Sequence, residues 1–345
     1  MTRICITPRV DGQGGMASFR IKLEAGLRAR GVEITHNASG ASDAILVIGG
    51  TRHLFPLWQA RRRGVRVVQR LDGINWVQRA RWTGARYHLR AEYGNALLAL
   101  IRARFADRVV YQSRFIRKWW DDWYGPLRLP AQVIHNGVDL DVYSPVEAGR
   151  VVADPATSGA NPSHPYRILV VEGSLAGGLN TGLFAAACLA EILLEKFPVE
   201  LVVAGRVDER TRRTLTGDRL PIRFLGVIPR AHIPELDRSA HLLFSAEINP
   251  PCPNSVIEAL ACGLPVLGFD TGALRELVGE AAGRLAPYGG DPWKLDPPDV
   301  QALVDPALEI LGNQPRFRRA ARERAESMLN VDKMVDEYLH ALVGD

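Results

Sequence analysis

Residues 245–272, SAEINPPCPNSVIEALACGLPVLGFDTG, decide how this 345-residue chain folds. Pro250, Pro251 and Pro253 rule out regular strand pairing, because each ring removes a backbone donor. Asn254 or Ser255 then offers a side-chain oxygen as a helix N-cap. Val256, Ile257, Ala259, Leu260 and Ala261 give that helix an apolar surface, Gly263 is placed for a left-handed cap, and Pro265 prevents the helix from resuming. LPVLGF (264–269) follows as a strand that is apolar on both faces, the pattern of a parallel sheet covered by helices on each side.

The same grammar extends outward. YRILVVEG (166–173), VELVVAGR (199–206) and IRFLGVIP (222–229) read as strands, with a helix near 181–196 between the first two. Upstream, 3–10, 44–50 and 65–73 are strands, and a glycine-rich loop, DGQGGMASF (11–19), feeds a helix that runs to about Arg30 with Phe19, Leu23 and Leu27 on one face. Alternation of this kind predicts two Rossmann-like, doubly wound α/β domains with right-handed crossovers. The length suits two cores rather than one. Periodicity fades and Pro, Ser, Gly and Ala accumulate from 144 to 165, which gives domains at 1–150 and 167–325, a linker at 151–166 and a terminal helix at 326–345.

No apolar run reaches the roughly 18 to 20 residues that span a bilayer; the longest, LFAAACLAEILL (183–194), is broken by Glu191. The N-terminus lacks the zones of a signal peptide, so a cytoplasmic location is expected. Cys5, Cys188, Cys252 and Cys262 have no paired spacing and are expected to be buried thiols in a reducing compartment rather than disulfides or metal ligands. Charge is divided unevenly: residues 1–166 hold 24 Lys and Arg against 13 Asp and Glu, and 167–345 hold 19 against 25.

Several positions carry candidate chemistry. Glu258 stands about one turn from a helix N-terminus, either as a dipole partner or as an acceptor for sugar hydroxyls beside an anion site. Gly12, Gly14 and Ala17 satisfy G-x-G-x-x-A with Glu33 beyond, which reads either as a dinucleotide loop or as a glycine turn feeding a helix; Glu33 comes at the wrong end of its strand for a ribose contact. Arg70, Asp72 and Gly73 lie at a strand end where open α/β sheets place ligands. Arg61, Arg62 and Arg63 read as a solvated cap of charge. The tract NWVQRARWTGARYHLRAEYG (75–94) interleaves Arg, Trp and Tyr in a way that suits lipid headgroups, phosphates or sugar faces, and the segment from 95 to 107 is helical. No nucleic-acid-binding motif accompanies the basic charge.

The run 253–278, PNSVIEALACGLPVLGFDTGALRELV, resembles the C-terminal signature of the group 1 (family 4) retaining glycosyltransferases, and its loop resembles the PCPN subset of that family. Residues 106–115 and 133–139 resemble the segments that precede the crossing between that family's domains. The resemblance implies the GT-B fold, two Rossmann-like domains facing a cleft, with the terminal helix packing back across it. It implies a nucleotide-sugar donor, UDP- or GDP-linked, held by the C-terminal domain, a glycan or lipid-linked acceptor on the N-terminal domain, and no obligatory metal or cofactor. Glu258 would contact ribose, with Asn254 and Ser255 at the helix start beside it, and Gly14 and Gly15 would serve the phosphate or acceptor side.

Three departures follow. RLDG replaces the family's His-Asp type sequence, leaving Arg70 and Asp72 as the catalytic candidates. EGSLAGGLNTG (172–182) lacks the family's diphosphate-binding Arg and Lys, so Gly173, Gly177, Gly178 and Arg206 are the substitutes. The glutamate expected eight positions before Glu258 is Pro250, with Glu247 and Asn249 nearby. The expected function is hexosyl transfer with retention in polysaccharide or cell-envelope glycan synthesis, with membrane-surface contact through the basic half. The alternatives are a non-catalytic glycan- or nucleotide-binding relative and an NAD(P)-dependent oxidoreductase or epimerase, the latter lacking a Tyr-x-x-x-Lys pair.

Overall fold

The computed structural model describes residues 1–12, 14–145, 164–175, 180–217 and 220–344. It divides into two units: Met1–Gly137 with Leu329–Asp345, and Val138–Met328. Most of the segment read as a linker lies outside the described residues.

The first unit is built on a six-stranded parallel sheet in the order β2-β1-β3-β4-β5-β6. Its strands are β1 (Arg3–Thr7), β2 (Glu33–Thr35), β3 (Ala44–Ile48), β4 (Arg66–Leu71), β5 (Arg108–Tyr111) and β6 (Ala131–Val133). β3 is buried along its whole length, as an apolar strand covered on both faces must be. The Gly15–Ala29 helix buries Phe19, Leu23 and Leu27 on one side of the sheet, as its spacing predicts. The Val331–Val343 helix adds Met334, Val335 and Tyr338 to the same core, and Phe19 meets Tyr338 with ring centroids 5.0 Å apart. At Gly26 even a methyl group would come within 2.5 Å of Val335 Cγ2, so the two helices cross in close contact there.

On the other face, Leu57, Ala60 and Ile101 pack over Cys5, Ile45 and Val67. The helix expected from 95 begins ten residues earlier and runs Ala85–Arg104. It extends because nothing after Gly84 (φ 91°) breaks it, and because Glu92 and Asn95 hold it to the preceding turn: Glu92 accepts from Arg79 and Asn95 Oδ1 accepts from the Asn75 amide. Ser113 caps the Arg114–Tyr124 helix, accepting from Ile116 N at 3.1 Å.

The second unit carries β7 (Tyr166–Ser174), β8 (Val199–Arg206), β9 (Ile222–Gly226), β10 (Leu242–Phe244), β11 (Val266–Phe269) and β12 (Gly283–Ala286), all parallel, in the order β12-β11-β10-β7-β8-β9. The Thr181–Leu194 helix contributes Leu183, Ala186, Leu189 and Leu193 to the core. Residues 245–272 form a loop, the Asn254–Ala261 helix and β11. Gly263 (φ 72°) closes the helix: its amide reaches Leu260 O, and the Leu264 amide reaches Ala259 O at 2.8 Å. The N-terminal expectation is corrected: the capping position falls on Pro253, which has no side-chain acceptor, and Asn254 and Ser255 already lie inside the first turn. Cys188 is also corrected; it is exposed on its helix, whereas Cys5, Cys252 and Cys262 are buried.

Candidate functional site

Open parallel sheets bind ligands outside the carboxyl ends of the strands, at the point where the strand order reverses. In the second unit that point lies between β7 and β10. Two glutamates stand there: Glu172 near the end of β7 and Glu247 three residues beyond β10. Burial pushes Glu172 well above the usual carboxylate range and the charge of Glu247 raises it further. Part of Glu247 is open to solvent, yet its surroundings desolvate the carboxyl and push it up to about 7. Ser245 Oγ and Asn249 Nδ2, on residues 5% and 4% exposed, have no hydrogen-bond partner among the described residues. Each such buried polar atom costs about 1 to 3 kcal/mol unless something satisfies it, and Asn249 also adopts a left-handed backbone (φ 53°).

The chain is held tightly around this edge. A methyl group on Gly182 would overlap the Ala246 carbonyl, and one on Gly205 (φ 143°) would overlap the Glu172 carbonyl. Glycine is therefore required at 205 by both space and backbone. Arg206, exposed at the end of β8, pairs in register with Ser174, and its carbonyl accepts from the Leu175 amide at 2.9 Å, so Arg206 and the exposed Gly173 come together at one strand end. Gly177 and Gly178 lie outside the described residues.

Glu258 is 9% exposed on the Asn254–Ala261 helix, with Asn254 and Ser255 half-buried one turn before it. Its charge is felt by Asp237 and Tyr143, which places it facing the helix Ile233–Arg238 and the chain at 143. Burial, then that charge, raises Asp237 well above the carboxylate range.

In the first unit the order reverses between β1 and β3. Gly14 and Gly15, both exposed, follow β1 and start the helix that carries Phe19. Arg70, 1% exposed on β4, lies over the Phe19 ring at 3.8 Å and donates from Nη2 to Asn136 Oδ1 at 3.0 Å; its Nε and Nη1 have no partner among the described residues. Asp72 is raised by burial against the opposing pull of Arg70, and its carbonyl accepts from Trp120 Nε1 at 2.8 Å. Phe19 thus links the glycine loop's helix to the Arg70–Asp72 strand end. Glu33 begins β2 and pairs with Arg3 at 2.8 Å, at the end of the strand away from any ribose site.

Glu172 is the residue that sequence reasoning missed. The signal was a charge interrupting the apolar run YRILVV at the end of a buried strand. Among the described residues no group of three or more His, Cys, Asp or Glu is placed to hold a metal ion.

Residues 167–313 match the family model described as Glycosyl transferases group 1, a span that contains both switch-point glutamates, Arg206 and Glu258. A phosphatidyl-myo-inositol mannosyltransferase of Mycobacterium leprae is 31% identical over 137 residues, 39% of this chain and 34% of that protein. The chain spans about a third of the length of the curated relatives it matches. Among solved structures, a sucrose-phosphate synthase from Thermosynechococcus elongatus aligns over 99% of this chain and 98% of its own with TM-score 0.71 and 17% identity. Anabaena HepE, solved in complex with UDP-glucose, aligns over 99% of both chains with TM-score 0.66 and 15% identity. Two six-stranded parallel sheets flanked by helices are thus the GT-B fold, and the match to the group 1 glycosyltransferase model is confined to residues 167–313.

Proposed function

We propose that the protein is a hexosyltransferase that moves a sugar from a UDP- or GDP-linked donor, bound by the second unit, to a glycan or lipid-linked acceptor, with retention of configuration, in polysaccharide or cell-envelope glycan synthesis. One observation carries the reading: the family match coincides with the unit whose switch point holds carboxylates and buried polar atoms that have no partner among the described residues.

Glu258 accepts from the ribose hydroxyls, and the first-turn amides at Asn254 and Ser255 lie beside it. Arg206 and the backbone at Gly173 stabilise the departing diphosphate through charge-assisted hydrogen bonds, the electrostatic part of catalysis. Pro250 removes the family's sugar-contacting glutamate, and Glu247 with Glu172 takes over that task as acceptors for sugar hydroxyls. Gly14 and Gly15 serve the phosphate or acceptor side. Asp72 meets the reacting sugars, and the buried Arg70 orients it. The Ala85–Arg104 helix and the turn before it expose Trp82 (78%), Leu89 (69%) and Tyr93 (54%) among Arg86 and Arg90, an apolar and basic face suited to an anionic membrane surface. Absence of cosedimentation with anionic vesicles rules that contact out.

The test is a panel of nucleotide sugars, scored for thermal stabilisation and for slow donor hydrolysis, in wild type and Glu258→Ala. Hydrolysis of one donor that Glu258→Ala abolishes is expected. Stabilisation without any hydrolysis indicates a non-catalytic binding relative, and stabilisation by NAD(P) alone overturns the reading.

A further inference from the structure

A second concave site lies in the first unit, at the amino-terminal edge of its sheet. A cavity of about 480 Å³ is lined by Trp58, Arg61, Arg62, Arg66, Arg104 and Phe105, with Asp107 at its wall. Arg66 begins β4 and Arg70 and Leu71 end it, so the strand's length, about 15 to 20 Å, separates this cavity from the Arg70–Asp72 edge. Its size falls within the range of small-molecule sites, about 300 to 1,000 Å³.

Two of these groups have structural work. Arg61 pairs with Asp107 at 2.9 Å and donates to the Arg104 carbonyl, closing the end of the Ala85–Arg104 helix. Asp107 also accepts from the Val67 amide at 2.9 Å. Asp107 is therefore matched by Arg61, which leaves Arg62, Arg66 and Arg104 without a carboxylate partner among the described residues. Arg66 donates to the Leu342 and Gly344 carbonyls. Arg62 lies over the Trp58 ring at 4.8 Å, and Trp58 itself stacks on Phe55 with ring centroids 5.7 Å apart, so the indole that carries Arg62 has a second ring packed against it. The Arg62 and Arg104 side chains are exposed and make no hydrogen bond among the described residues. Three like charges converging on one concavity raise the local positive potential, and guanidinium forks match phosphate oxygens in pairs.

We propose that this cavity binds a phosphate-bearing ligand, either a small organic mono- or diphosphate or a phosphate on a lipid headgroup, at a site separate from donor and acceptor. Arg62 and Arg104 are its movable contacts, Arg66 supplies fixed positive charge, and the volume beyond the phosphate accommodates the body of the ligand.

The test is hydrogen–deuterium exchange on the full chain, comparing wild type with Arg62→Gln/Arg104→Gln. The probes are inorganic pyrophosphate, and vesicles of phosphatidylcholine with and without phosphatidic acid. Local exchange separates this site from any pyrophosphate bound in the second unit. Protection of 58–67 and 104–108 by pyrophosphate, weakened on the order of tenfold or more in apparent affinity in the double variant, supports a soluble ligand. Protection of the same segments only by phosphatidic acid vesicles, again lost in the variant, supports a lipid phosphate. No protection by any probe, or equal protection in the variant, overturns the proposal. Both substituted side chains are exposed, and a matching thermal melt of the free variant checks that it folds.

Discussion

The two sheets have the same number of strands and the same parallel sense, yet the ionisable groups at their carboxyl edges are arranged differently. In the first unit a buried guanidinium, Arg70, lies between an aromatic ring and an amide and is close enough to Asp72 to oppose that residue's upward shift. In the second, Glu172 and Glu247 stand together, and among the described residues neither has an ion-pair partner. At the first edge the two charges are of opposite sign and partly offset each other, although Arg70 Nε and Nη1 have no partner among the described residues. At the second edge two acceptors and two polar atoms, Ser245 Oγ and the donor Asn249 Nδ2, have no partner among the described residues, and sugar hydroxyls, which both donate and accept, match them.

The largest test of that contrast is Gly205→Ala. The new methyl would collide with the Glu172 carbonyl at a backbone angle that alanine avoids. We expect a loss of about 3 kcal/mol or more in the stability of the second unit, read by urea titration or by exchange of its strands. Gly14→Ala, which meets no atom within 4 Å, is expected to leave the first unit's stability within about 0.5 kcal/mol. Equal losses at both positions would break the idea that the second edge is the tightly built one.

A smaller effect separates the edges by pH. Glu247 titrates near 7 when folded against an ordinary 4.5, and Glu172 is also raised, so the folded state holds protons that the unfolded chain releases. The contribution of Glu247 to stability is complete below about pH 4.5 and disappears as pH rises through about 7, and that of Glu172 is likewise present at low pH and lost as pH rises. Glu92, lowered to about 2, and Asp208, lowered by the helix amides it accepts from, act with opposite sign and at lower pH, whereas Asp237 and Asp72, raised by burial, act in the same direction and stay in every variant, so the pair is read from the difference between wild type and variant. Thermal melts from pH 5 to 8 are expected to show a decline in the wild type that is flatter in Glu247→Gln, and flatter still with Glu172→Gln added. An unchanged slope in both variants would remove the carboxylate pair from the account.

Much of this was legible in the chain. The proline loop, the apolar helix face, Gly263 and the doubly greasy strand each act through local sterics and periodicity, so residues 245–272 announce their own structure. Phe19, Leu23 and Leu27 announce theirs in the same way. What could not be read depends on strand order. Glu172 and Glu247 are 75 positions apart, and only the pairing of β7 with β10 makes them neighbours. Arg70 looked like an accessible strand-end cation, whereas the ring it rests on comes from a helix about fifty residues earlier. The cap at 254 failed for a subtler reason: both Asn254 and Ser255 suit the capping position, but Pro253 occupies it, and the residues that follow are already helical.

That failed cap yields the smallest and most discriminating comparison. Ser113, fully buried, caps its helix through a bond to the Ile116 amide, so Ser113→Ala should cost about 1 kcal/mol, measured as faster native-state exchange across 114–124. Ser255 caps nothing on its helix, and Ser255→Ala should change exchange across 254–261 by less than about 0.5 kcal/mol. If its hydroxyl faces the donor, the same substitution should weaken nucleotide-sugar affinity severalfold while Ser113→Ala does not. A polar residue at a helix start that contributes little to the fold and measurably to binding has been placed there for the ligand. Should Ser255→Ala instead destabilise its helix as much as Ser113→Ala does, the start of the Asn254–Ala261 helix is scaffold, and the donor's phosphates must be sought at Arg206 and the backbone beside Gly173.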